Sequence, residues 1–63
     1  MSDEMLDILY DAVKRKIDTG WFIEVDGEDY FFPESQCELH EQGSFIKCPG
    51  WLVRKKGLEL YVV

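Results

Sequence analysis

The chain is poor in cysteine, proline and histidine, with two, two and one of them among 63 residues. Two cysteines are too few for a disulfide framework, so the core has to be hydrophobic. No run approaches the ~20 apolar residues of a membrane-spanning helix, and no signal-peptide pattern opens the sequence. The five glycines are scattered, and none builds a phosphate-binding loop. A chain of this length buries only ~60% of the surface its unfolded form exposes, which leaves little room for a deep catalytic pocket beside a core. These absences point away from a secreted scaffold, a membrane protein or an enzyme. They favour a single cytoplasmic domain spanning residues 1–63, with no cofactor and no metal implied.

Bases are scarce as well, seven against thirteen acids, for a net charge of −6. The imbalance is uneven: residues 1–44 carry twelve acids and three bases (net −9), and residues 45–63 carry one acid and four bases (net +3). Self-repulsion in a one-signed field opposes compaction, so the field serves solubility or a partner rather than the fold. It repels nucleic acid and attracts basic protein clefts.

The local signals predict an α+β domain: an N-terminal helix packed on a small antiparallel sheet of two hairpins plus a C-terminal strand. Ser2 reads as a helix cap, with Asp3, Glu4 and Asp7 in the first turns. Met5, Leu6, Leu9, Ala12, Val13 and Ile17 recur at three- and four-residue spacing, and Lys14, Arg15 and Lys16 precede a stop at Gly20, giving a helix over about 3–18. From Trp21 the period becomes two. Asp26-Gly27 signals a two-residue hairpin turn, which pairs Val25 with Glu28, Ile23 with Tyr30 and Trp21 with Phe32. That register gives a core face of Trp21, Ile23, Val25, Tyr30 and Phe32. Its other face sets Glu24 against Asp29 and Phe22 against Phe31. A second hairpin, turning at Gln42-Gly43, pairs Leu39 with Ile46, Glu38 with Lys47 and Cys37 with Cys48. Pro49-Gly50 ends it, Trp51–Lys56 fits a short helical turn closed by Gly57, and Leu58–Val63 alternates as a final strand.

Cys37, His40 and Cys48 form C-x2-H-x7-C, one ligand short of a closed zinc site unless Glu38 or Glu41 joins, and the register turns His40 away from both sulfurs. The cysteines read as small buried hydrophobes, reduced in a cytosol and placed so that an oxidised form would bridge them. A Cys–His nucleophile pair needs an orienting group that the sequence does not supply. The acids carry the sharper signal. Asp3, Asp7 and Asp11 make one helical row at i, i+4 spacing, and Glu24, Asp26, Glu28 and Asp29 make a second cluster. Alternate strand residues lie about 6.6 Å apart, so such rows would imitate phosphates to a basic groove. Phe22 and Phe31, facing outward, would anchor the interface. The one basic patch, Arg54-Lys55-Lys56 beside Trp51 and Tyr61, suits single-stranded nucleic acid, with bases stacking on the rings.

The stretches Asp26-Gly27-Glu28-Asp29-Tyr30-Phe31-Phe32-Pro33-Glu34-Ser35-Gln36 and Cys48-Pro49-Gly50-Trp51-Leu52-Val53-Arg54-Lys55-Lys56-Gly57-Leu58 resemble a short module of phage and prophage accessory proteins. The resemblance spans Val25 to Leu58, about half the chain, and rests on Pro33-x-Ser35-Gln36 followed by Trp51-Leu52 and Lys56-Gly57-Leu58. The chain departs from the module at Gly50, where a helix-favouring acid is usual, and no functional residue carries over. In size and acidity the chain is also similar to anti-CRISPR and anti-restriction proteins, several of which mimic DNA. That likeness implies a phage-encoded inhibitor acting in a host bacterial cell. Its partner would be a host nucleic-acid-binding defence protein, a CRISPR effector subunit first. The expected contacts are Asp3, Asp7, Asp11, Glu24, Asp26, Glu28, Asp29, Phe22 and Phe31, without direct nucleic-acid or membrane binding, in a monomer or weak dimer. The alternative is an accessory module of phage replication or recombination. It would reach a phage enzyme or single-stranded DNA through Trp51, Arg54, Lys55 and Lys56.

Overall fold

A computed structural model describes residues 4–63. Strands dominate: β1 (Met5–Leu9), β2 (Ala12–Ile17), β3 (Gly20–Val25), β4 (Glu28–Pro33), β5 (Glu38–His40) and β6 (Phe45–Pro49), then one helix, α1 (Gly50–Lys56), and a 3-10 turn over Glu59–Tyr61. They form two antiparallel three-stranded sheets, ordered β1-β6-β5 and β2-β3-β4. The first and second strands are one bent segment that leaves the first sheet for the second. The Tyr10 amide still donates to Ser44 O at 3.0 Å, and the next amide, Asp11, donates to Glu24 O at 2.8 Å.

The expected N-terminal helix over 3–18 is therefore wrong; its cap, Ser2, and Asp3 lie outside the described residues. The segment also alternates. Leu6, Ile8 and Tyr10 face the core, whereas Met5 and Leu9, which the helical spacing placed on the apolar face, are exposed. Pairing decides between the two periods. β1 lies along β6 from Met5↔Pro49 to Leu9↔Phe45, and β2 lies along β3 with a bulge between Val13 and Arg15. Helix propensity spans only ~0.7 kcal/mol per ordinary residue, so a long-range ladder with a buried Ile8 overrides it.

Both predicted hairpins form: the first with every expected pair, the second with Leu39↔Ile46 and Glu38↔Lys47, its ladder ending before the expected pairing of Cys37 with Cys48. Asp26 (φ 53°) and Gly27 (φ 83°) are both left-handed, the conformation that a two-residue turn matching the strand twist requires. Of the expected core face, Ile23, Val25 and Phe32 are buried, with Trp21 and Tyr30 packed at its edge. Ile8, Cys37, Ile46, Cys48, Leu52, Val53 and Leu58 complete the core between the sheets and α1.

The short helix also forms. Gly57 caps it in the left-handed region (φ 71°), its amide donating to Arg54 O while the Leu58 amide reaches back to Val53 O at 3.0 Å. These two hydrogen bonds satisfy the last carbonyls and turn Leu58 fully into the core. The expected C-terminal strand over 58–63 is consequently absent. The chain coils through the 3-10 turn, and only Val62 bridges Ile8, with the Val63 amide on Asp7 O at 2.9 Å.

Candidate binding surface

On the outer face of the second sheet, away from the core, the paired Phe22 and Phe31 stand with ring centroids 5.3 Å apart, tilted by 53°. Both are half-buried, and Glu24 and Asp29 flank them as the next cross-strand pair. Like charges directly opposite destabilise a ladder. The bulge in β2 relieves this pair, because Lys14 at the bulge reaches Glu24 at 3.4 Å. The Asp29 and Glu28 side chains stay exposed with no hydrogen-bond or ion-pair partner among the described residues, Asp29 on this face and Glu28, opposite Val25, on the other. Arg15, opposite Phe22, adds a base to the face that the sequence reading did not include.

The remaining acids are dispersed. No helical row exists: Asp7 sits on the first sheet, paired with Lys47 at 3.0 Å, and Asp11 lies at the bend. Asp11 Oδ2 accepts the Asp26 amide at 2.8 Å, and Asp26 Oδ2 accepts the Tyr61 hydroxyl. Two expected contact residues thus tie the bend, the first hairpin tip and the C-terminal segment together. No short-range signal marks this arrangement, since Tyr61 is 35 residues from Asp26.

The Asp26 hydrogen bond, then partial burial and the negative charges of Asp26 and Glu28, raise the Tyr61 pKa above its ordinary 10.0. A raised folded-state value means that the neutral phenol is the stabilising form. Its contribution is complete below the unfolded value and disappears as pH rises through the folded one. Tyr61→Phe is expected to speed amide exchange at Val63, whose amide bonds the first strand, and to leave Ile23 protected. In the wild type, Val63 protection is expected to fall toward the variant's as pH climbs past about 10. Residue-resolved hydrogen exchange checks both; equal Val63 protection in the two proteins would remove the latch.

The basic candidates separate. Trp51 is 41% exposed and Arg54 and Lys55 are exposed, but Lys56 folds inward, its Nζ 5.4 Å from the centre of the Phe32 ring. His40 stacks on Phe45, with centroids 4.5 Å apart, and pairs with Glu38. It therefore faces outward from the first sheet, as its register predicts, whereas Cys37 and Cys48 are buried. Among the described residues there is no pocket, no group of three or more His, Cys, Asp or Glu placed to hold a metal, and no helix long and apolar enough to cross a membrane. Compared with protein-family models, curated proteins and solved structures, the chain matches none.

Proposed function

We propose that the chain is a small binding protein whose outer second-sheet face docks on a basic, nucleic-acid-binding surface of another protein and occludes it. The carrying observation is the Phe22–Phe31 pair with Asp29 on the same face, an exposed carboxylate with no side-chain partner among the described residues, and exposed Glu28 next to it at the hairpin tip. Aromatic side chains supply contact area at low entropic cost, and uncompensated charge steers association toward an opposite field. The partner proposed first is a subunit of a CRISPR effector complex in the cytoplasm of a phage-infected bacterium. The acidity and size of the chain motivate that choice. The mimicry is narrower than a set of acidic rows, since Asp7, Asp11, Glu24 and Asp26 already hold partners within the fold.

The test is a gel shift of a CRISPR effector on its target DNA, titrated with wild type and with Glu28→Lys/Asp29→Lys. Wild type is expected to remove the effector–DNA complex without shifting DNA alone. The variant should fold normally and need at least roughly tenfold more protein, the equivalent of about 1.4 kcal/mol of binding. Equal potency of a folded variant would overturn the reading.

A second reading has its own observation: α1 exposes Trp51, Arg54 and Lys55 together. Through them the chain would bind single-stranded DNA, or a phage replication or recombination enzyme. A shift of single-stranded DNA alone that weakens steeply with salt would favour the former and displace the first proposal.

A further inference from the structure

Cys48 lies on the inner face of β6 at 0% exposure, and Cys37 precedes β5 at 8%. Glu38 and Lys47 are the last paired residues of the hairpin; continuing their register by one step sets Cys37 opposite Cys48, and both belong to the same buried core cluster. Residues directly opposite on antiparallel strands have Cα atoms ~4.5–5.5 Å apart, within the ~4.4–6.8 Å that a disulfide spans. The turn before β5 holds Cys37 there, since its amide and that of Gln36 both donate to Pro33 O at 3.1 Å.

Cys48 Sγ donates to Ile46 O at 3.9 Å, at the far limit even for sulfur. The two thiols are neighbours, each the leading influence on the other's ionisation. Lys56, the last residue of α1, is half-buried near both sulfurs and has no carboxylate partner among the described residues. The Cys48 thiol and, after it, the Lys56 charge lower the Cys37 pKa against the opposing effect of burial. The Cys48 thiol is pushed up, chiefly by Cys37 and then by burial. The asymmetry sorts the pair into an attacking sulfur at the slightly more accessible position, 8% against 0%, and a resolving sulfur behind it.

We propose that Cys37 and Cys48 are a redox-active dithiol site, oxidised by a small hydroperoxide to an intramolecular disulfide. Cys37 Sγ attacks a peroxide oxygen; the S–O bond forms, the O–O bond breaks, and the departing hydroxide takes the thiol proton as water. Cys48 Sγ then attacks Cys37 Sγ; the S–S bond forms, the S–O bond breaks, and a second water leaves with the Cys48 proton. Two thiols and one hydrogen peroxide thus become one disulfide and two waters. Lys56 acts here as a positioning charge that favours the Cys37 thiolate.

The test exposes folded protein to hydrogen peroxide at neutral pH, removes the peroxide, unfolds the protein and alkylates it before mass spectrometry. The expected product is a monomer lighter by two hydrogens, closed to alkylation, with Cys37 and Cys48 in one linked peptide. Its melting temperature should rise by on the order of 10 °C. In Cys48→Ala the reaction should stop at a Cys37 sulfenic acid, which a dimedone-type reagent captures. Lys56→Met should slow oxidation severalfold without changing the linked product. Monomer in which both cysteines remain open to alkylation, or linkage only between two chains, would overturn the proposal. The wild-type result stands even if a variant fails to fold.

Discussion

Phe32→Ala is expected to leave the chain unfolded at room temperature. Phe32 is the largest fully buried side chain, 1% exposed, and comes from the open end of the first hairpin, opposite Trp21. Removing a buried phenyl ring costs ~3–5 kcal/mol, through lost transfer energy and the cavity left behind. A single core in a domain of this size rarely supplies more than ~3–5 kcal/mol in total, so one substitution can exhaust it. The ring also lies beneath the inward-folded Lys56 ammonium, 5.4 Å away. Its loss therefore removes a favourable cation–π contact from a half-buried charge. Circular dichroism with a urea titration checks the outcome. Phe32→Leu, which keeps more of the volume, is expected to remain folded with a lower midpoint. A cooperative transition for Phe32→Ala near the wild-type midpoint would show that the two sheets collapse onto the vacated space.

Gly20→Ala is the second large effect, expected at ~3 kcal/mol, the upper end of the usual cost of overpacking. Gly20 opens the third strand opposite Pro33, where the backbones run close together. A methyl group there would overlap the Phe32 carbonyl oxygen, sit 2.9 Å from Pro33 Cα and touch the Phe31 ring at 3.0 Å. Two of those neighbours are backbone, so relief requires the strands to part where the Glu34 amide bonds Thr19 O at 2.8 Å. Gly27→Ala is the useful contrast. It has open space and instead pays for a positive φ, so its cost should be smaller, about 1 kcal/mol. Thermal melts of the two variants separate steric from conformational demand. A Gly20→Ala loss no greater than that of Gly27→Ala would mean that the strands part easily.

Gly20 also shows how a signal can be legible and its meaning hidden. As sequence it marks a stop, and a stop occurs there, but between two strands rather than after a helix. The first hairpin was readable in full because Asp26-Gly27 and the alternation around it act over a few residues. Once the turn is set, every pair from Val25↔Glu28 to Trp21↔Phe32 follows. The Gly57 cap was readable for the same reason. The segment before Gly20 was not, because its spacing suits a helix and a strand about equally, and the partner of its first half, Met5–Leu9, lies about forty residues away.

The candidate surface divides along the same line. Phe22, Phe31, Glu24 and Asp29 came together as the register predicted, being cross-strand neighbours within one hairpin. The grouping of Asp3, Asp7 and Asp11 depended on the helix; without it, Asp7 and Asp11 separate, and Asp3 lies outside the described residues.

What the sequence determined by itself is what short-range chemistry controls: the turns, the hairpin registers, the helix cap and the uneven charge. Tertiary structure decided three further things. It set which period residues 5–17 obey, through the ladders of the first strand with the sixth and of the second with the third. It set which acids stay free, through partners such as Lys47, forty residues from Asp7, and Tyr61 on Asp26. It brought the Lys56 ammonium beside a cysteine pair that the hairpin had already aligned. The physical reason is common to all three. A carboxylate, an ammonium or a strand edge interacts with whatever the fold places within a few ångströms, and the spacing along the chain does not specify that neighbour.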